Sequence, residues 1–578
     1  MIYKIIKRYL LKHKKESTKT IIYSLIVAVL AVIIPLIYSR ITDDILNKDI
    51  LLTALIKPIA ALLILTLSAV FLNRYTLISK YNIGARCRMD LLSDAYNHLL
   101  DLPLDYFKIY DKGEIAKKVD RSGDAIFMIV SEIVFTSIPE LFSIIGMIFV
   151  LGLIDIRLAA VVFAVGIAYS CLPLLRTKRI IEKEKQISIK SEKASGFIHD
   201  VLINIKLVKL YTDETRNKDK SNLLLRDTLN ETESMNTKWA NIISVQQLTI
   251  QAGFILILLS ALFLLRNGGI TPGELVLVLS YTAMIQNPFV RLSHNYMQTK
   301  RNLVSIKRVF DLIDEPIEPY NDGIELTDTN GNIKFVNVHY SYENNVIETL
   351  KGISLNICGN NSIGIIGPSG SGKTTFLNLL LRNNLKPITG KIFLDGIDTT
   401  TIKLPSLRKF IAVVDQEASI LNRSVIENIL LGDPNASYDD VVSVSKMANA
   451  YDFIIKLKNG FNEIVGENGT RLSGGEKLRI SIARALLKIR SGAKILVLDE
   501  ATASLDSISE KEFQNTLELL KNRNITIIII THRLKTVQNC ELAVFNYGEI
   551  VESGDHAKLY SKDGLYKKLY LNQVIHPI

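Results

Sequence analysis

Six stretches of this chain are apolar for roughly twenty residues each, and no other feature restricts its fold so strongly. They are Thr20–Ser39, Leu51–Leu72, Ile126–Leu151, Leu158–Leu175, Ile242–Leu265 and Leu275–Val290. A hydrocarbon core about 30 Å thick takes about 20 residues of α-helix to cross, so each run has the length of a membrane span. One such run could be the buried helix of a soluble core. Six of them, in three close pairs with short connections, predict a six-helix membrane domain. The first run is too long for the apolar centre of a signal peptide and has no small-residue cleavage site after it, so it is expected to be retained.

Orientation follows from the flanking charge. Lys4, Lys7, Arg8, Lys12, Lys14, Lys15 and Lys19 precede the first run, against a single Glu16. That end is expected in the cytoplasm. The long connections Asn73–Ala125 and Arg176–Asn241 then fall on the same side, while Asp43–Lys48, Gly152–Ile156 and Arg266–Thr271 fall outside. Leu92, Tyr96, Leu99 and Leu100 recur at helical spacing, which predicts membrane helices that run on into the cytosol. The net charge of +11 is compatible with a nucleic-acid partner. Much of the Lys and Arg lies beside the apolar runs, however, where it orients helices, so the expected partner is a lipid bilayer and not nucleic acid. Cys87, Cys171, Cys358 and Cys540 have neither metal nor disulfide spacing and are read as reduced thiols. Glu132, Glu140, Gln246, Gln247, Gln251, Gln286 and Asn287 lie inside apolar runs. Polar groups there line a pathway or bond one helix to another.

Past residue 312 the pattern changes. Asp314-Glu315-Pro316-Ile317-Glu318-Pro319 is acidic, Pro-punctuated and without period, and marks a boundary. The expected division is a membrane domain over 1–312, a linker over 313–330 and an α/β domain over 331–578. Gly367-Pro368-Ser369-Gly370-Ser371-Gly372-Lys373-Thr374 fits G-x-x-x-x-G-K-[ST], after the predicted strand Ser362–Ile366 and before the predicted helix Thr375–Leu381. Glycines let backbone N–H groups wrap phosphates, and the helix N-terminus adds positive potential. This loop and Thr375 are the expected contacts to ATP, with Lys373 reaching the β- and γ-phosphates and Thr374 ligating Mg²⁺. The run Lys494–Leu498 leads into Asp499-Glu500, placed respectively to hold Mg²⁺ and to activate the attacking water.

Leu472-Ser473-Gly474-Gly475-Glu476, ahead of the amphipathic stretch Lys477–Leu487, resembles the signature sequence of ABC ATPases. In the first half, Leu99–Phe107 with Gly113, Glu114, Ile115 and Asp124 resembles the first internal loop of ABC exporters. Ala194–Glu214, with Asn204, Lys206, Val208 and Lys209, resembles the second. The resemblance spans nearly the whole chain. It implies that Ser473, Gly474 and Gly475 bind the γ-phosphate of ATP held by another subunit, and that Tyr342 stacks on adenine. It implies a Mg²⁺-sensing role for Gln416, an ATP-site role for Asp506 and a γ-phosphate contact for His532, which follows the predicted strand Ile525–Ile530. The implied catalytic set is Glu500, His532 and Gln416; the implied Mg²⁺ set is Thr374, Gln416 and Asp499. Val465–Gly469 resembles the loop that meets a partner's coupling helices. Five positions depart from the family's usual residues: Glu476 for Gln, Asn468 for Arg, Ala503-Ser504 for the reverse order, and Asp200 for Glu.

The expected molecule is a multi-domain one: an all-α six-helix transmembrane domain with long cytoplasmic helical extensions, then an α/β P-loop ATPase domain. The expected activity is ATP-driven export, or leaflet translocation, of an amphipathic lipid, drug or peptide by alternating access in a dimer. A homodimer is expected because every motif is intact in one chain; a similar heterodimer partner is the other option. The expected place is a bacterial inner membrane, with the ATPase and both termini cytoplasmic. The alternative activity is an ATP-gated channel or regulatory membrane ATPase on the same scaffold.

Overall fold

The computed structural model describes residues 2–46, 55–110, 112–320, 322–342, 348–383, 386–501, 507–521 and 524–575. The chain forms two compact units. One is Met1–Leu100 with Asp111–Glu315, and the other is Asp101–Tyr110 with Pro316–Ile578.

The first unit is built on six long helices. They are α1 (Lys14–Leu46), α2 (Ile56–Asp101), α3, α4 (Ile156–Ile203), α5 (Glu214–Arg266) and α6 (Pro272–Ile313). Helix α3 is a continuous rod of α-helix Lys112–Met128, π-helix Ile129–Ser137 and α-helix Ile138–Ile154. Among the described residues five helices are long and apolar enough to cross a bilayer. The expected fourth span, Leu158–Leu175, is not among them: it continues past Tyr169 beyond the described side chains, and the described apolar part of α4 is Ile156–Tyr169. Residues Leu51–Ala54 of the expected second span lie outside the described residues.

Helix ends and crossings have local causes. Thr271 and Glu274 form a capping box at the start of α6, and Asp43 accepts hydrogen bonds there from Thr271 Oγ1 and Gly273 N, each 2.7 Å. A Cβ on Gly273 would lie 2.1 Å from Ser39 O, so only glycine admits this approach of α1 to α6. Small residues likewise allow helices to pack closely where α5 meets α4, with Gly253 against Val165. Tyr281 is fully buried and donates to Val32 O at 2.6 Å.

The second unit holds two sheets. Strands β1 (Ile333–Tyr340), β2 (Leu350–Ile357), β4 (Thr389–Leu394) and β5 (Ile397–Asp398) pair antiparallel in the order β2-β1-β4-β5. The larger sheet is ordered β10-β9-β3-β8-β7-β6, from β3 (Ser362–Ile366), β6 (Ile411–Val414), β7 (Ile495–Asp499), β8 (Thr526–Ile530), β9 (Glu541–Asn546) and β10 (Glu549–Gly554). From β9 to β6 it is parallel. Its central strands are apolar but for Ser362, Asp499 and Thr526 at their ends, and every residue of β3, β7 and β8 is buried, as a sheet covered on both faces requires. The carboxyl ends of β3, β6, β7 and β8 therefore open on one edge, where ligands of open α/β sheets bind. The segment Asp101–Tyr110 belongs to this unit, and Glu318 N donates to Asp101 O at 2.9 Å.

Candidate active site

Four of the nominated groups emerge from that edge. The loop 367–372 leaves β3 and enters the helix Lys373–Leu380. Gly367 has φ +153° and Gly372 φ +102°. A Cβ on Gly367 would lie 2.2 Å from Phe545 O, and one on Gly372 would lie 2.7 Å from Leu350 Cδ2, so both positions exclude a side chain. Gly370 faces open space, as does Gly474. Lys373 is buried, and its Nζ donates to the loop's own carbonyls, Gly367 O and Pro368 O, at 2.9 Å each. Burial lowers the pKa of this ammonium, against the opposing pull of Glu500 and Asp499. Ser371 Oγ is buried and, among the described residues, has no hydrogen-bond partner. A loop with an orphan hydroxyl and a lysine folded back on its own backbone is matched to an acidic oxygen ligand.

Glu500 follows β7 and sits between two groups from neighbouring strands. Gln416 Nε2 donates to its Oε2 at 2.9 Å, and His532 Nε2 lies 2.9 Å from its Oε1. The site therefore joins the ends of β6, β7 and β8. Beside it, Asp499 is buried and its pKa is pushed up to about 6, first by burial and then by Asp415 and Glu500, with Lys373 opposing. Lys373 only partly offsets the charge of Asp499, Asp415 and Glu500, and the exposed Thr374 stands at the start of the neighbouring helix. Oxygen donors short of positive charge fit a hard divalent cation such as Mg²⁺.

The other nominated residues fall elsewhere in the unit. The Tyr342 hydroxyl and Thr375 Oγ1 are hydrogen-bonded at 3.1 Å, and the Tyr342 ring stands edge-on to Tyr340 at 5.1 Å. Ser473 caps the helix Gly474–Arg490: its Oγ accepts from Glu476 N at 3.3 Å and donates to Glu476 Oε2 at 2.9 Å. Among the described residues no hydrogen bond joins Ser473–Gly475 to the phosphate loop. Asp506 lies outside the described residues, as do Ala503 and Ser504.

Sequence reasoning missed several partners. Asp415 adjoins Gln416 with no motif to single it out. Gln573, on the helix Leu565–Ile575, bridges the turn after β8: its Nε2 donates to His532 O, and its Oε1 accepts from Leu534 N at 3.0 Å. In the membrane unit, Lys80 pairs with Glu132 at 3.3 Å and Arg291 with Glu140 at 2.5 Å. Gln246 is buried, Gln247 and Gln251 are exposed, and Gln286 and Asn287 line separate clefts.

Comparison with known proteins places both halves. Residues 18–289 match the family described as ABC transporter transmembrane region, and residues 350–503 match the one described as ABC transporter. The chain is 28% identical over 573 residues to the β-(1→2)glucan export ATP-binding/permease protein NdvA of Brucella melitensis, covering 97% of this chain and 93% of that one. It is 30% identical over 509 residues to the ATP-dependent lipid A-core flippase of Chromobacterium violaceum, covering 88% and 86%. A solved structure of a bacterial Atm1-family ABC exporter with ATP bound superposes with a TM-score of 0.88, at 26% identity, over 97% of this chain and 98% of that one.

Proposed function

The chain belongs to the ABC transporter family, and on that premise we propose that two copies of it form an exporter that moves an amphipathic substrate by alternating access. It is an integral membrane ATPase whose hydrolysis is coupled to transport. The relatives named above act on a glucan and on a lipid, so the family does not name the cargo.

The observation that carries the reading is the Glu500 carboxylate, held by Gln416 and His532 at the sheet edge that also bears the phosphate loop, on the same chain as the membrane helices. In the proposed cycle, loop 367–375 and Lys373 hold the phosphates of ATP, and Tyr342 stacks on the adenine. Glu500 takes the proton of the attacking water, and His532 and Gln416 orient that carboxylate and the γ-phosphate. Ser473, Gly474 and Gly475, at a helix N-terminus, supply donors to ATP bound on the other copy, and Asp506 completes the site. Thr374, Gln416 and Asp499 would hold Mg²⁺, which neutralises charge on the phosphate oxygens. The proposed division of the chain is 1–312, 313–330 and 331–578. The proposed place is an inner membrane, with the ATPase and both termini cytoplasmic.

The test is ATP hydrolysis by the purified chain in lipid nanodiscs. Glu500→Gln is expected to lower turnover by at least about 10²-fold while retaining nucleotide binding. Tight ATP binding with negligible turnover in the unaltered chain would instead support the gated-channel reading.

A further inference from the structure

Helices α1, α2, α3 and α6 line a cleft of about 400 Å³ within the membrane unit, and its polar groups have no part in ATP chemistry. Phe135, Met147 and Met284 supply apolar wall. Glu140 and Arg291 face each other 2.5 Å apart, with side chains 16% and 52% exposed. Arg291 engages Glu140 Oε1; Glu140 Oε2 is buried and, among the described residues, accepts no hydrogen bond. The hydroxyl of Ser24, buried on α1 in the same cleft, also has no partner among the described residues. The other charge lining the cleft, Lys80, is committed to Glu132 and to Thr136 Oγ1 at 3.0 Å. Among the described residues this leaves without a partner one carboxylate oxygen and one hydroxyl, beside the outer face of a guanidinium and the amides of Asn73 and Asn287.

Charge balance then selects the ligand. A buried carboxylate oxygen without a donor is a cost that a bound donor removes. A simple cation on Glu140 competes with Arg291 for the carboxylate, and a simple anion on Arg291 draws that partner from Glu140. Either leaves a charge poorly compensated in a low-dielectric site. A ligand carrying an ammonium next to an anionic group can enter the pair and keep the cleft neutral. We propose that this cleft is a subsite for a zwitterionic amphiphile. Its ammonium binds Glu140 Oε2 and Ser24 Oγ, its anionic group binds the outer face of Arg291, and its apolar part lies on Phe135, Met147 and Met284. The proposal rests on the exporter reading and names the chemistry of its cargo. The zwitterion has two sources, a free small molecule such as a short peptide or the headgroup of a lipid with a primary ammonium.

The test titrates the full chain, in phosphatidylglycerol nanodiscs, with four forms of leucyl-phenylalanine: free, N-acetylated, C-amidated and blocked at both ends. The free zwitterion is expected to half-saturate at a concentration about tenfold below each blocked form, a preference of 1.4 kcal/mol per tenfold. Glu140→Gln is expected to erase the preference over the N-acetylated form, and Arg291→Gln the preference over the amidated one. Equal constants for all four forms would overturn the subsite, as would an unchanged ranking in Glu140→Gln. If a variant misfolds, the ranking on the unaltered chain decides alone. Nanodiscs of phosphatidylethanolamine separate the sources: competition with the dipeptide that Glu140→Gln abolishes assigns the headgroup, and its absence assigns a free molecule. ATP hydrolysis on the same nanodiscs tests the exporter reading separately. Hydrolysis with a flat ranking overturns only the subsite, whereas no hydrolysis overturns the transporter.

Discussion

Glu500 has φ +51°, a left-handed conformation that costs a non-glycine residue about 1–3 kcal/mol. Its N–H continues the ladder to Ile530 O at 2.8 Å, so the strand pairing carries the strain while the carboxylate turns toward Gln416 and His532. The neighbouring Asp499 gives a pH prediction. Its folded-state pKa, about 6, lies above the ordinary carboxylate value, so between the two the folded state binds the extra proton. Stability from this group is therefore present at low pH and is lost as pH rises through 6. A metal at this carboxylate must displace that proton, so Mg²⁺-dependent binding of a non-hydrolysable ATP analogue is expected to weaken as pH falls below 6. A titration at pH 7.5 and pH 5.5 would show it, with Mg²⁺-free nucleotide as the control. Glu476 gives a second prediction, because its charge sits at the helix N-terminus beside the Ser473 hydroxyl. Glu476→Gln keeps the hydrogen-bonding oxygen and removes the charge that repels a phosphate. The ATP concentration at half-maximal rate is expected to fall about two- to fivefold.

The π-helical stretch Ile129–Ser137 interrupts the α-helical geometry of α3, and such stretches tend to occur at functional sites. Lys80 holds it at two points, Glu132 Oε1 and Thr136 Oγ1. Lys80 and Glu132 have side chains 11% and 23% exposed, so removing one partner leaves a largely buried charge. Lys80→Met is expected to lose about 3 kcal/mol in a reversible detergent-unfolding titration, and Lys80→Met with Glu132→Leu to recover most of it. Hydropathy could not find this contact. The expected second and sixth spans end at Leu72 and Val290, so Lys80 and Arg291 fall outside them, and their partners come from another helix. The strand–loop–helix at 362–380 was legible because a fully buried strand, the glycines and the Lys-Thr pair are all local requirements. Gln416 and His532 are named only through the family resemblance. That Gln416 meets a carboxylate 84 residues away depends on the order of β6, β7 and β8, which no local pattern encodes.

At the scale of the whole molecule, the compact units do not follow one another along the chain. The ATPase unit takes Asp101–Tyr110 from the middle of the membrane half. Residues 316–578 alone therefore lack part of their own unit. That fragment is expected to melt about 2–4 °C below the same fragment mixed with a synthetic peptide of residues 101–110; equal melting temperatures would mean that the segment adds no stability. The chain passes between the units after Leu100, after Tyr110 and after Glu315. A body hung on one thread can spin about it without limit. A body tied by three threads can tilt and twist, but it cannot complete a revolution without winding them together.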